Sequence, residues 1–122
     1  MYSCPVCGYQ GLREPPRDFS ICPSCGTEFE SDDFGTTQEE VERRQAELRN
    51  EWSEKGAQWF SHATPRPQHW NPYAQLAAAG LSVRVANSVN VMIRIDRIGR
   101  INFTPSGAES TEASTQARLV HA

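Results

Sequence analysis

The pattern that most constrains this chain is Cys4-Pro5-Val6-Cys7-Gly8, repeated as Cys22-Pro23-Ser24-Cys25-Gly26. Fourteen residues separate Cys7 from Cys22, and all four cysteines fall within the first 25 positions. Two residues between the thiols of a pair let both sulfurs face one ion. The intervening segment is long enough for a hairpin that brings the pairs together. Four thiolates so arranged make a closed, tetrahedral metal site. Each proline stiffens its turn, and each glycine tolerates the left-handed backbone that the turn requires. Turn N–H groups are placed to donate to the sulfurs.

Two disulfides or four free core thiols are the competing readings. A redox Cys-x-x-Cys would need a strand-to-helix context that the sequence lacks. Met1-Tyr2-Ser3-Cys4 has neither a charged nor an apolar leader region, so a signal peptide is not expected. No apolar run reaches the roughly 18 residues of a membrane helix. The expectation is a cytoplasmic protein without a membrane partner, where structural disulfides are rare. Energetics agree with metal. A segment of about 35 residues lies below the roughly 40 that fold without a staple, and zinc binding to such peptides is worth on the order of 10 kcal/mol. The expected ligands of one ion are therefore Cys4, Cys7, Cys22 and Cys25.

Tyr2-Ser3-Cys4-Pro5-Val6-Cys7-Gly8-Tyr9 and Ile21-Cys22-Pro23-Ser24-Cys25-Gly26 resemble the paired knuckles of zinc ribbons. They also resemble the iron knuckles of rubredoxin and of the rubredoxin-like segment of rubrerythrins. The stretch through Glu28-Phe29 and Asp32-Asp33 is similar to small bacterial cysteine-rich proteins of the CPCC type. The resemblance covers residues 1–35, extends weakly through Trp59 and Asn71-Pro72-Tyr73, and does not reach residues 81–122. It implies metal binding and leaves function open. Zinc and iron both accept four thiolates. Tyr2, Tyr9, Phe19, Phe29 and Phe34 are either an aromatic shell, as in a rubredoxin, or simply the ribbon's core. Zinc is preferred, because an electron carrier has no need of the remaining chain.

The 122 residues carry a net charge of −3, unevenly spread. Residues 1–35 have two basic and six acidic side chains, residues 36–60 four and six, and residues 61–122 six and three. A generally basic nucleic-acid binder is thereby disfavoured. A hydrophobic fraction of 38% argues against a large enzyme core.

Residues 36–57 read as a helix. Thr36 with Glu39, or Thr37 with Glu40, supplies a capping box. Val41, Leu48 and Trp52 mark a narrow apolar stripe. Glu39 with Arg43, Glu40 with Arg44 and Glu51 with Lys55 are acid-first pairs at the favourable spacing, and Gly56 is a stop. Residues 61–70, with Pro65 and Pro67, read as extended or irregular. Asn71-Pro72 then caps a short Ala-rich helix that Gly80 ends. Alternation at Leu81, Val83 and Val85, and again from Val89 to Ile95, signals strands. Asn87-Ser88 and Asp96 to Gly99 read as turns, and Arg100 to Phe103 as a third short strand. The low-hydrophobicity stretch 105–122 reads as a disordered tail.

The expected fold is a small α+β protein. It comprises a four-cysteine zinc ribbon with rubredoxin-like knuckles (residues 1–35), then a helical segment with a tryptophan cluster (36–80). Short strands or a β-hairpin (81–104) and the tail (105–122) complete it.

Other candidates carry weaker chemistry. Trp52, Trp59, Phe60, Trp70 and Tyr73 either pack the helices onto the ribbon or leave one or more of Trp52, Trp59 and Trp70 as a partner anchor. His62, His69 and His121 lack a partner at ligand spacing and read as exposed. Asp32, Asp33, Glu28 and Glu30 read as a solvated acidic turn that disfavours phosphate. Arg84, Arg94, Arg97 and Arg100, opposed only by Asp96, form a basic cluster. It is either the polar face of a hairpin or a grip for phosphate or an acidic protein.

No nucleophile elbow, phosphate loop or paired-acid constellation occurs, and a four-cysteine site has no open position for catalysis. The expectation is a non-enzymatic zinc-ribbon protein with a structural metal. It would bind a protein, in an adaptor, regulatory or, by analogy with small bacterial and phage proteins, immunity-like role. A rubredoxin-like iron carrier and a nucleic-acid-binding ribbon are the alternatives.

Overall fold

Two capped helices and a three-stranded sheet surround the cysteine hairpin in the computed structural model, which describes residues 1–85, 89–95, 97, 98 and 100–105. The expected turn at Asn87-Ser88, the opposing Asp96, His121 and the tail from residue 106 lie outside the described residues.

Helix α1 is Gln38–Glu54. Thr37 is its N-cap, its side chain accepting the Glu40 N–H at 3.1 Å. Glu40 reaches past the cap to Thr36, accepting both the Thr36 N–H and hydroxyl, so the expected box is shifted by one residue on its return arm. The expected Glu40–Arg44 pairing gives way accordingly. Arg44 pairs with Glu47 at 3.0 Å and Glu51 at 3.7 Å, while its Nε–H donates to the Asp32 carbonyl.

The helix ends in a Schellman motif. The Gly56 N–H donates to the Ser53 carbonyl and the Ala57 N–H to the Trp52 carbonyl, with Gly56 at φ 104°, a conformation in which a side chain would be strained. Helix α2, Pro72–Ala78, repeats this design: Asn71 caps it, and Gly80 and Leu81 donate to Ala77 and Leu76.

Strands β1 (Ser82–Val85), β2 (Val89–Ile95) and β3 (Ile101–Pro105) form an antiparallel meander. The third strand runs to Pro105, opposite Val91, two residues past the expected end at Phe103 and into the first residue of the expected tail. The register sets Val83 beside Val91 and Ile93 beside Phe103. Val83, Val91 and Ile93 are buried, and Tyr73 of α2 meets the Phe103 ring edge-on at 6.2 Å. Helix α1 covers the outer edge of β1. Asn50 Oδ1 accepts the Arg84 N–H at 2.7 Å, and Arg49 donates to the Ser82 carbonyl. An otherwise open strand edge is closed in this way.

One apolar cluster joins the parts, with Val6, Leu12 and Phe29 from the hairpin, Trp52 from α1, Leu76 from α2, and Val83, Val91 and Ile93 from the sheet. Burying a side chain the size of Phe29 or Leu76 contributes about 1.5–3 kcal/mol. Among the described residues no buried side-chain nitrogen or oxygen lacks a hydrogen bond. No helix among them is long and apolar enough to cross a membrane.

Candidate metal centre

The two knuckles are built alike. In the first, the Cys4 N–H donates to the Tyr9 carbonyl and the Gly8 N–H to the Cys4 carbonyl; in the second, Cys22 donates to Thr27 and Gly26 to Cys22. Gly8 and Gly26 take φ of 85° and 82°. Each also lies under a neighbour. A Cβ on Gly8 would stand 2.8 Å from the Ala79 Cβ, and one on Gly26 would stand 2.5 Å from the Phe60 ring. The Val6 and Cys7 N–H groups donate to the Cys4 sulfur at 3.3 and 3.5 Å. Thr27 Oγ1 lies 3.2 Å from the Cys25 sulfur.

All four ligand atoms lie within 4.8 Å of one another. Cys4 Sγ is 3.8 Å from Cys25 Sγ, and Cys7 Sγ is 3.7 Å from Cys22 Sγ. A tetrahedral ion with metal–sulfur bonds of about 2.3 Å requires sulfur–sulfur spacings of about 3.8 Å. The cysteines are free thiols, and two of the sulfur spacings match that value, so the cluster is placed to hold a single metal ion.

Crowding acts differently on Cys4, Cys22 and Cys25. Hydrogen bonding to Cys22 first, then to Cys25 and Cys7, together with burial, pushes the Cys4 thiol far up. Cys22 is pushed up chiefly by its hydrogen bond to Cys25. Cys25 is pulled down by hydrogen bonds from Cys22, Cys4 and Cys7. A metal bound at this site would take the cysteines as thiolates, its positive charge offsetting their mutual repulsion.

Arg49, on α1, lies behind the first knuckle. Its Nε–H donates to the Val6 carbonyl at 2.7 Å, and Nη2 donates to the Pro5 carbonyl at 3.0 Å. Burial pulls the guanidinium below its ordinary value, and the charges of Cys4, Cys7 and Cys25 push it back. Four thiolates around a divalent ion leave two negative charges in excess, and Arg49 offsets one of them. Gln75, on α2, ties the knuckles to each other. Its Nε2 donates to the Cys7 carbonyl at 3.1 Å and to Ser24 Oγ at 3.0 Å, while its Oε1 accepts the Trp70 indole N–H at 2.8 Å. Neither residue belongs to a sequence motif. The one available signal was Gln75, a lone polar side chain within the apolar run that ends α2.

The structure corrects several expectations. Of the five candidate shell aromatics only Phe29 is buried. Tyr2, Phe19 and Phe34 are exposed at 47%, 60% and 69%, and Tyr9 stacks on Trp59, so no aromatic shell encloses the sulfurs. The acidic turn is not a solvated cluster. Asp33 is buried and accepts from the Glu30 N–H and the Gln45 amide, while Asp32 accepts from the Glu28 N–H; these carboxylates order the backbone after the second knuckle.

Of the four arginines, Arg84 is drawn toward α1 and away from the others. Arg84 is held by Glu54 at 3.1 Å and stands opposite Asn90. Arg94 lies four residues further along β2, about 13 Å away, with its Nε–H on Thr104 Oγ1. Arg97 and Arg100 are exposed beyond the end of β2. His62 and His69 are exposed. Among the described residues the four cysteines are the one cluster of histidine, cysteine and carboxylate ligands able to hold a metal.

The three tryptophans form a single stack with Tyr9. Trp59 meets Tyr9 and Trp70 edge-on, each at 5.4 Å, and Trp70 lies 6.4 Å from Trp52. Trp52 is buried, its N–H on the Gln58 carbonyl; Trp59 donates to the Thr64 carbonyl. Trp59 and Trp70 keep part of their surface exposed.

No family model and no solved structure matches the chain. A segment is similar to the uncharacterized protein YoaQ of Bacillus subtilis (strain 168), 49% identical over 35 residues. The match covers 23% of this chain and 30% of that protein.

Proposed function

We propose that the four cysteines hold one zinc ion as a structural staple in a ribbon of the CPCC type, and that the protein is a non-catalytic module that binds another protein. The observation that carries the metal reading is the sulfur spacing of 3.7 and 3.8 Å. Zinc is favoured over iron by the exposure of Tyr2, Phe19 and Phe34, which leaves the sulfurs without the aromatic cover of a rubredoxin-like carrier. A centre with four protein ligands has no position for substrate, which supports binding over catalysis.

The partner reading rests on charge and exposed rings. Glu39, Glu42, Glu47 and Glu51 are exposed on α1, with Glu47 and Glu51 sharing the single charge of Arg44, and Phe34 and Phe60 are exposed at 69% and 53%. An acidic face steers association toward a basic protein patch, and large exposed rings supply desolvated anchors, with Trp59 and Trp70 as further candidates. A nucleic-acid role has less support, because Glu54 engages Arg84. The test is Glu39→Gln with Glu47→Gln. Loss of a captured protein partner, with unchanged melting temperature and metal content, supports the reading. Undiminished capture, or capture of nucleic acid instead, contradicts it.

A further inference from the structure

Residues 58–70 carry Trp59, Phe60 and Trp70 and form an aromatic strap fastened to the knuckles. The Phe60 N–H donates to the Pro23 and Ser24 carbonyls, and the Ser61 N–H to the Pro23 carbonyl. The Phe60 ring lies against Gly26, and Trp59 meets Tyr9 beside the first knuckle. Two non-glycine residues take the left-handed region, Ala57 before the strap at φ 50° and His69 near its end at φ 62°. That region disfavours a side chain, so the surroundings must hold the strap in place. One amide makes the remaining fastening. Gln75 Oε1 accepts the Trp70 indole N–H at 2.8 Å, while Gln75 Nε2 donates to the Cys7 carbonyl of one knuckle at 3.1 Å and to Ser24 Oγ of the other at 3.0 Å. An indole N–H only donates and a carbonyl only accepts. The link therefore needs a group that accepts at one end and donates at the other, which a carboxylate of the same length is not.

We propose that Gln75 is a positioning residue that couples metal occupancy to the aromatic strap, so that Trp70, with Trp59 stacked on it, is fixed in place by the loaded centre; the inference rests on reading the four cysteines as a metal centre. Cys7 and Ser24 belong to different knuckles, and both stay within reach of one Nε2 only while the knuckles are held together. Without the ion a ribbon of about 35 residues lacks its staple, and the two acceptors of the amide part. The left-handed backbone at Ala57 and His69 then favours release of the strap. Coupling of this kind is reciprocal. A change that loosens the strap at Trp70 therefore weakens metal binding, although Trp70 donates to Pro67 and Gln75 and to neither knuckle.

The experiment measures zinc affinity of the full chain by competition with a chelator of known affinity. Trp70→Phe removes the indole N–H and keeps a ring. Gln75→Glu keeps the acceptor for Trp70 and removes both donors to the knuckles. Gln75→Glu is expected to weaken zinc binding about 10- to 100-fold, and Trp70→Phe about three- to tenfold, the size of one neutral hydrogen bond. The double variant is expected to match Gln75→Glu within about twofold, because the path from Trp70 is already cut. Removing zinc from the parent chain with EDTA is expected to shift tryptophan emission to longer wavelength as Trp59 and Trp70 enter water. A merely structural Trp70 would lower the melting temperature of Trp70→Phe and leave zinc affinity unchanged. That result, losses that add in the double variant, or emission unmoved by zinc removal would overturn the proposal. If Gln75→Glu does not fold, the zinc affinity of Trp70→Phe decides alone. A parent chain that binds no zinc refutes the metal reading itself, whereas a loaded chain indifferent to Trp70→Phe refutes only the coupling.

Discussion

Arg49 donates its Nε–H to the Val6 carbonyl at 2.7 Å, so a guanidinium from the middle of α1 fixes the turn between Cys4 and Cys7. Its Nη2 holds the Pro5 carbonyl and its Nη1 the Ser82 carbonyl. One side chain thus joins the first knuckle, α1 and β1. Lysine carries the same charge but lacks this planar fork. Arg49→Lys is expected to weaken metal binding by about 10- to 100-fold, the usual cost of losing an outer partner of a metal site. Competition with a chelator of known affinity measures it, and unchanged affinity would assign Arg49 to packing alone.

Loss of one ligand should spread beyond the hairpin. Arg44, Gln45 and Arg49 anchor α1 to Asp32, Asp33 and the first knuckle. A free helix of this length is marginal in water. Cys22→Ser is therefore expected to abolish tight metal binding, unfold residues 1–35 and reduce the helical circular dichroism signal. Full metal content with an unchanged melting curve would exclude Cys22 as a ligand.

Gly8 serves the turn and the packing together. At φ 85° an alanine is strained, and its Cβ would press on the Ala79 Cβ and the Gln75 carbonyl. Gly8→Ala is expected to destabilise the protein by about 1–3 kcal/mol and to loosen α2 from the ribbon. Hydrogen exchange in residues 72–79 reports this directly. Exchange as slow as in the parent chain would contradict the close approach.

Trp52 and Phe60 should separate core from surface. Trp52 is buried with its indole N–H bonded, whereas Phe60 is 53% exposed. Trp52→Ala is expected to cost about 3–5 kcal/mol. Phe60→Ala should cost less than about 1.5 kcal/mol, about half of a fully buried aromatic side chain. Denaturant titration of both variants checks the order.

Local chemistry made much of this architecture legible. Gly56 and Gly80 mark both helix ends because only a residue at ease in the left-handed region closes a Schellman motif. Alternation set β2 at Val89–Ile95 because one face of the sheet is buried. The doubled knuckle gave the sulfur cluster, since its spacing is itself the geometry of the site. Contacts distant in sequence left no such trace. Arg49 and Arg44 look like any solvated helix charges until the ribbon's carbonyls are placed beneath them. Asp33 reads as a surface acid, yet it is buried because the Glu30 N–H and the Gln45 amide both need an acceptor. Arg84 falls in a basic run, and the fold returns it to Glu54, thirty residues earlier.

The central claim is that Cys4, Cys7, Cys22 and Cys25 enclose one metal ion. Native mass spectrometry of freshly purified, reduced full-length protein tests it most directly, because one spectrum gives the identity and number of bound ions. The account predicts a single species, one zinc per chain, that becomes metal-free when acid protonates the thiolates. A folded chain at the bare protein mass would contradict the metal centre, and a mass corresponding to iron would contradict the choice of zinc.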